Sequence, residues 1–271
     1  MLNQIVSGAP VFFLIMARCL ACILVLPLLS SKTAPRKVKV ALALYMACFI
    51  FPQVSLKSGV YESYASYISS TGSFNLDCVF LIIGEALIGL ILGFFVQIIF
   101  AAFSTAGQFF AFQMGFTASE VYDSLSQVEN PLLGQFLNFV ATLCFLQNHW
   151  FQKLFLQGLV KSFSSINAFS LVNCSSAFVK FIMSSLTFLF RDALIIALPL
   201  MGTLFLINVT VGILSKAAPQ MNLLSEGFPI LILTAFFVIY LLIPSFYEFF
   251  YYTFNNGFKE LLKLFAQMGK V

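Results

Sequence analysis

The sequence predicts an all-α, polytopic membrane protein with long kinked helices and helical hairpins. Two observations carry this. Hydrophobic residues make up 61% of the 271 positions and charged residues 9%, against about 25% charged in soluble domains. The apolar runs are also continuous and roughly 17 to 25 residues long, the length that crosses a hydrocarbon core as a helix. Barrel strands would instead alternate over about ten residues. A chain with so few charges cannot build a water-facing surface, and in lipid only helices and closed barrels satisfy the backbone internally.

The first span is expected over Val11–Leu29, with Arg18 inside it and Pro27 near its end. Met1–Pro10 holds neither Lys nor Arg, so this run lacks the basic leader of a cleaved signal and should be retained. Ser30–Lys39 gathers Lys32, Arg36, Lys37 and Lys39, a cluster that marks the cytoplasmic side. Val38–Val54 should then run outward into Ser55–Asn75, a Ser- and Tyr-rich loop with interfacial aromatics.

Val79–Phe103 is the third run. Gly84, Gly89 and Gly93 lie on neighbouring turns and open it to close approach by another helix. Glu85 beside them is costly in lipid and should face protein, either as a hydrogen-bonded buried carboxyl or in contact with something that moves past it. Ser104–Phe116 is apolar but interrupted by Gly107, Gln108, Gln113 and Gly115, and is expected to break the helix; Thr117–Asn130 then turns polar and acidic.

Pro131–Val160 should form the next helix, with Pro in the first turn and His149 and Trp150 toward its polar half. Ser162–Ser176 is expected to be a polar loop. Ala177–Ser215 is one apolar stretch, too long for a single upright span, carrying Lys180, Arg191, Asp192 and Pro199. Arg191 and Asp192 are neighbours in sequence and should each need a partner elsewhere, since facing pairs on a helix are three or four residues apart. Lys216–Gly227 breaks the pattern, Phe228–Leu242 is the last clear span, and in the tail Phe258, Leu261, Leu262 and Phe265 recur at helical spacing opposite Lys259, Glu260, Lys263 and Gln267. Such a tail suits a membrane surface or a partner's groove. Six spans starting outside should end outside, yet the tail is basic, so at least one apolar run is not a simple span.

The chemistry classes thin out quickly. One histidine and few carboxylates argue against catalysis, and no phosphate loop, metal cluster or nucleophile triad appears. Cys19 and Cys22 have C-x-x-C spacing but sit in an apolar run and suit packing better than redox work or zinc. A transporter would show inverted repeats and paired intramembrane charges, which are not evident. No cofactor and no nucleic acid is implied.

Several blocks in order resemble the FliR/SctT family of type III export-apparatus membrane proteins. They are Arg18 with Pro27 and Pro35–Lys39; Gly84–Gly89 with Gly93 and Phe94; Ala106-Gly107-Gln108 with Phe112–Gly115; Gln135–Asn138 with His149 and Ser162-Phe163; and Ala197-Leu198-Pro199 with Gly212–Asn222 and Gly227-Phe228-Pro229. Lys216–Asn222 is the most specific, and the whole covers roughly Arg18 to Pro244. Where the family often has Asp-Pro, this chain has Tyr122-Asp123-Ser124.

The resemblance implies a non-enzymatic component of the flagellar export gate, or its injectisome counterpart, in the bacterial inner membrane at the flagellar basal body. Expected partners are FliP, FliQ, FlhB and FlhA, with unfolded export substrates and lipid. It divides the chain into a FliP-like part over 1–130 with a plug loop near 104–116, a middle helix and polar loop over 131–176, a FliQ-like hairpin over 177–245 and the amphipathic tail over 246–271. It makes Phe110, Phe112, Gln113, Met114, Gly115 and Phe116 the pore plug, and Lys216, Pro219, Gln220 and Asn222 the hairpin loop.

A cysteine placed at Thr33 should escape a membrane-impermeant thiol reagent in sealed cells and react once the inner membrane is opened. Labelling of sealed cells would reverse the topology.

Overall fold

The computed structural model describes residues 8–30, 35–54, 60–68, 76–115, 132–217 and 223–268. Lys32, Phe116, the acidic 117–130 segment, and Pro219, Gln220 and Asn222 lie outside them. Every element among the described residues is helical. In order they are α1 (Ala9–Val25), α2 (Pro27–Ser30), α3 (Arg36–Ile50), 3-10 turns at Phe51–Gln53 and Val60–Tyr64, and α4 (Leu76–Gln113). Then come α5 (Leu132–Gln147), α6 (Trp150–Lys153), a π-helical stretch Leu154–Val160, α7 (Lys161–Ser165), α8 (Ala168–Asn173), α9 (Ser175–Ala217) and α10 (Leu223–Met268). Helices α4, α9 and α10 are each long and apolar enough to cross a membrane.

Boundaries follow local chemistry. Helix α1 ends at Val25 because Pro27 has no N–H to donate and starts α2 instead, as Pro does at a first helical position. The helix expected over Pro131–Val160 is interrupted: His149 takes a left-handed backbone (φ 54°) between α5 and α6. The polar loop expected over Ser162–Ser176 is mostly helix, because the Asn167 side chain caps α8 by accepting from the Ser170 amide at 2.7 Å.

The break expected over Ser104–Phe116 does not occur before Gln113; α4 runs unbroken for 38 residues. Gly107 does not interrupt the helix but admits a neighbour, since a Cβ there would collide with the Gly134 backbone and the Leu133 carbonyl. Ser104 also accepts from the Asn138 side chain at 2.8 Å, tying α4 to α5 at the same place. Likewise, the helix does not end with the span expected over Phe228–Leu242; α10 runs for 46 residues from Leu223 to Met268 with Pro229 and Pro244 inside it.

The chain divides into two compact units. The first comprises Met1–Ile98, His149–Ser185 and Gly257–Val271. In it α1 packs along α3, burying Leu14, Ile15, Cys19 and Ile23 with Ala43, Ala47 and Ile50. The amphipathic end of α10 belongs here: Phe258, Leu261, Leu264, Phe265 and Met268 are buried, and Phe258 meets the Trp150 ring edge-on at 6.4 Å. The groove this tail fills is in its own chain.

The second unit comprises Ile99–Asn148 and Leu186–Asn256 and is built on phenylalanine. Phe100 meets Phe145 and Phe250 edge-on at 5.5 and 6.1 Å, and Phe254 reaches Phe145 at 5.1 Å and stacks on Phe250 at 6.0 Å. Offset and edge-on pairs of this kind add about 0.5–1.5 kcal/mol each beyond area burial. Many of the chain's phenylalanines thus do more than face lipid.

Two glycines give opposite expectations. At Gly89 a Cβ would strike the Arg18 carbonyl where α1 crosses α4, whereas at Gly212 nothing lies within 4 Å. Gly89→Val should lower the unfolding midpoint of the detergent-solubilised chain, at a cost of about 1–3 kcal/mol. Gly212→Ala should raise it slightly, since Ala is favoured over Gly in helices by about 1 kcal/mol. Equal effects would mean that backbone clearance at Gly89 is not limiting.

Candidate functional site: a buried ion-pair network

The first unit closes around a charge that the sequence places in the middle of an apolar helix. Arg18 on α1 is fully buried and points its guanidinium at Glu85 on α4, also fully buried. Arg18 Nε and Nη2 both lie 2.6 Å from Glu85 Oε2. The helices approach this closely because Gly89, one turn along from Glu85, has no side chain against the Arg18 backbone. Gly93 does the same one turn further on, against Cys22 and Val25, and Gly84 faces Ala168, whose Cβ would be 2.5 Å from an added one.

The remaining donors and acceptors are met from other segments. Tyr61 and Tyr64, on the Val60–Tyr64 turn, donate to Glu85 Oε2 and Oε1 at 2.9 and 2.7 Å. Arg18 Nη1 donates to Ser162 Oγ and Nη2 to the Ile166 carbonyl, both at 2.9 Å, and the Ser162 hydroxyl donates in turn to the Leu159 carbonyl at 2.6 Å. The Phe163 ring lies 4.3 Å from the guanidinium carbon. Outside this shell, Asn167 donates to the Val60 carbonyl and Ser63 Oγ at 3.0 and 2.9 Å, while the Ala168 amide donates to the Tyr64 hydroxyl. Burial, with Glu85 close by, pushes the Tyr61 and Tyr64 phenols well above their ordinary range, so both stay protonated and donate.

Isolated charges could not stay ionised here, because the desolvation penalty is several kcal/mol per ion. The network answers with a full set of partners, and satisfied polar networks of this kind rigidify what they join. It joins four segments far apart in sequence: α1, the Val60–Tyr64 turn, α4 and the 159–168 stretch. Its side chains are buried, which suits a structural fastening. Among the described residues no three His, Cys, Asp or Glu side chains stand close enough together to hold a metal ion.

Arg18, Gly84, Glu85, Gly89 and Gly93, expected as intramembrane packing or polar positions, are therefore brought to one place, with Glu85's partner inside its own chain. Tyr61, Tyr64, Ser162 and Asn167 were not foreseen; their segments read as loops, and only the Ser162-Phe163 block hinted at a role. The expectation that Arg191 and Asp192 need separate partners is overturned. Arg191 Nε and Nη2 donate to Asp192 Oδ1 at 3.0 and 2.9 Å in the second unit, because the long guanidinium folds back over one residue. Of the plug residues, Phe110 and Gln113 end α4, Phe110 is buried and stacks on Phe246 at 6.2 Å, and Met114 is buried. Phe112 is 70% exposed and Gly115 has a left-handed φ of 79°. Lys216 lies exposed in the last turn of α9.

Fold and site together define an all-α polytopic membrane protein whose first unit is fastened by a buried charge network. The chain belongs to the bacterial export proteins, family 1, whose model matches residues 9–257. Among curated relatives, the flagellar biosynthetic protein FliR of Borreliella burgdorferi is 35% identical over 63% of this chain and 64% of its own length. FliR of Escherichia coli is 28% identical over 98% of this chain and 97% of its own. The surface presentation of antigens protein SpaR of Shigella sonnei is 33% identical over 62% and 64%. The match thus spans just under two thirds of the first and third relatives and nearly all of the second.

Removing one member of the pair should cost more than removing both. Arg18→Met strands Glu85 and should destabilise the detergent-solubilised chain by about 3–5 kcal/mol, whereas Arg18→Met with Glu85→Leu should recover much of that loss. Thermal unfolding of the four corners of this cycle measures it. Additive losses would mean the two side chains do not act as a pair.

Proposed function

We propose that this chain is a component of the flagellar type III protein-export gate of the bacterial inner membrane, and that it works inside an assembly rather than alone. It is a structural subunit and not an enzyme. The observation that carries the assembly reading is the uncovered apolar surface: within the chain, only 22% of the most apolar stretch of α9, and likewise of α10, is buried. Family membership supplies the export role, and the flagellar names of two of the three relatives favour that branch. SpaR supports an injectisome counterpart as the second reading, to the level of the family.

In this reading FliP and FliQ cover the exposed helices, FlhB and FlhA adjoin them, and unfolded substrates pass beside the chain. The N-terminal part and the C-terminal hairpin divide the work as the FliP-like and FliQ-like portions, with Lys216, Pro219, Gln220 and Asn222 at the hairpin loop. The stretch Phe110–Phe116 is the plug that closes the pore at rest. Bulky apolar groups at a constriction exclude water by dewetting, and Met adapts its shape to irregular gaps. Phe110 and Met114 are buried and suit the anchored root of such a plug; exposed Phe112 suits its sealing surface, and Gly115, already left-handed, suits its pivot.

Deleting Gln113–Phe116 should leave the complex assembled but the membrane permeable to ions and to normally excluded solutes. An assembled complex that stays tight would place the seal in another subunit. Failure of the wild-type chain to co-purify with any gate component would remove the assembly reading itself.

A further inference from the structure

In the second unit, Phe190, Leu194, Leu198 and Phe205 of α9 are exposed apolar side chains that recur at helical spacing and share one face.

Arg191 lies within that face. Its side chain is 55% exposed, while that of Asp192 is 7% exposed. The guanidinium is held on two sides: Asp192 Oδ1 takes the Nε–Nη2 edge at 3.0 and 2.9 Å, and the Phe188 ring lies 4.7 Å from the guanidinium carbon. A guanidinium carries five N–H donors in a rigid fork. Asp192 engages one on Nε and one on Nη2, which leaves the Nη1–Nη2 edge, and the described residues place no acceptor on it. That edge presents two parallel N–H groups, the geometry that receives a carboxylate bidentately. Its apolar neighbours Phe190, Leu194 and Ile195 are exposed too, so the fork is aimed out of the chain from an apolar surface.

The geometry points to a specific docking contact: the outward edge of Arg191 receives an Asp or Glu carboxylate carried on an apolar helix of another chain. Asp192 and Phe188 are positioning residues that hold the fork flat and outward before the partner arrives, and the buried charge pairing fixes the axial register of the two helices. This rests on the reading of the chain as an assembly subunit and specifies the partner's chemistry within it.

The test uses the full chain in cells that assemble the export apparatus, with a photoreactive amino acid at Leu194, one turn from Arg191. The adduct expected is a peptide from another chain's apolar helix with an Asp or Glu within one turn of the linked residue. Arg191→Gln should then lower the amount of assembled complex about tenfold at an unchanged level of membrane-inserted chain. Arg191→Glu combined with Arg at the partner's acidic position should restore it. If Arg191→Gln instead lowers the inserted chain itself, the charge swap decides: restoration upholds the contact and its absence overturns it. An adduct to phospholipid alone, a linked peptide without an acidic residue, or an Arg191→Gln chain that assembles like wild type would also overturn it. In that last case the assembly reading stands, whereas a wild-type chain that joins no complex would end both.

Discussion

The buried contact between Arg18 and Glu85 is the constraint on which the first unit depends. An ion pair with both side chains withdrawn from solvent exists only if the backbones come close and every remaining donor and acceptor is met. Closeness is supplied by Gly89 and Gly93, where α1 lies against α4 with no room for a Cβ. The partners come from the Val60–Tyr64 turn and the Ser162–Ile166 stretch, which are thereby fixed although neither has a strong helical pattern of its own. The apolar residues around the pair provide most of the burial, but they would tolerate several helix registers. The charges admit one.

The second unit is held differently. Its core is a cluster of phenylalanine rings from α4, α5 and α10, assembled without charge, with Gly107 against Gly134 setting the backbone approach. Its one described ion pair, Arg191–Asp192, is local and half exposed, and so fastens nothing within the chain. The Arg18–Glu85 pair is turned inward and fully partnered, whereas the Arg191 guanidinium is left at the surface of an apolar helix. An isolated chain would have little reason to keep such a charge there, but a subunit of an assembly would.

Some of this was legible in the residues and some was not. Gly84, Gly89, Gly93 and Glu85 announce a tight, protein-facing helix surface, because small residues and a carboxyl at helical spacing have few other uses in an apolar run. Arg18 was visible as a charge in a span, yet nothing within reach of it in sequence pointed to Glu85, which is 67 positions away. Tyr61 and Tyr64 looked interfacial because loop aromatics in membrane proteins usually are. Gly107 looked like a helix break because local propensity disfavours it; packing against Gly134 overrode that preference.

By itself the sequence determined the solvent and the class. So few charges and so many apolar runs leave helices in an apolar environment as the solution, and ordered blocks such as Lys216–Asn222 carry the family. Only the tertiary structure decided which charges pair, which breaks are bridged and where the amphipathic tail lies. Those outcomes turn on distances of a few ångströms between residues remote in the chain. Periodicity along a helix states which side is apolar, but not which apolar partner it meets, since burial is non-directional. Hydrogen bonds and close glycine contacts are directional, and they select among the packings that hydrophobicity allows.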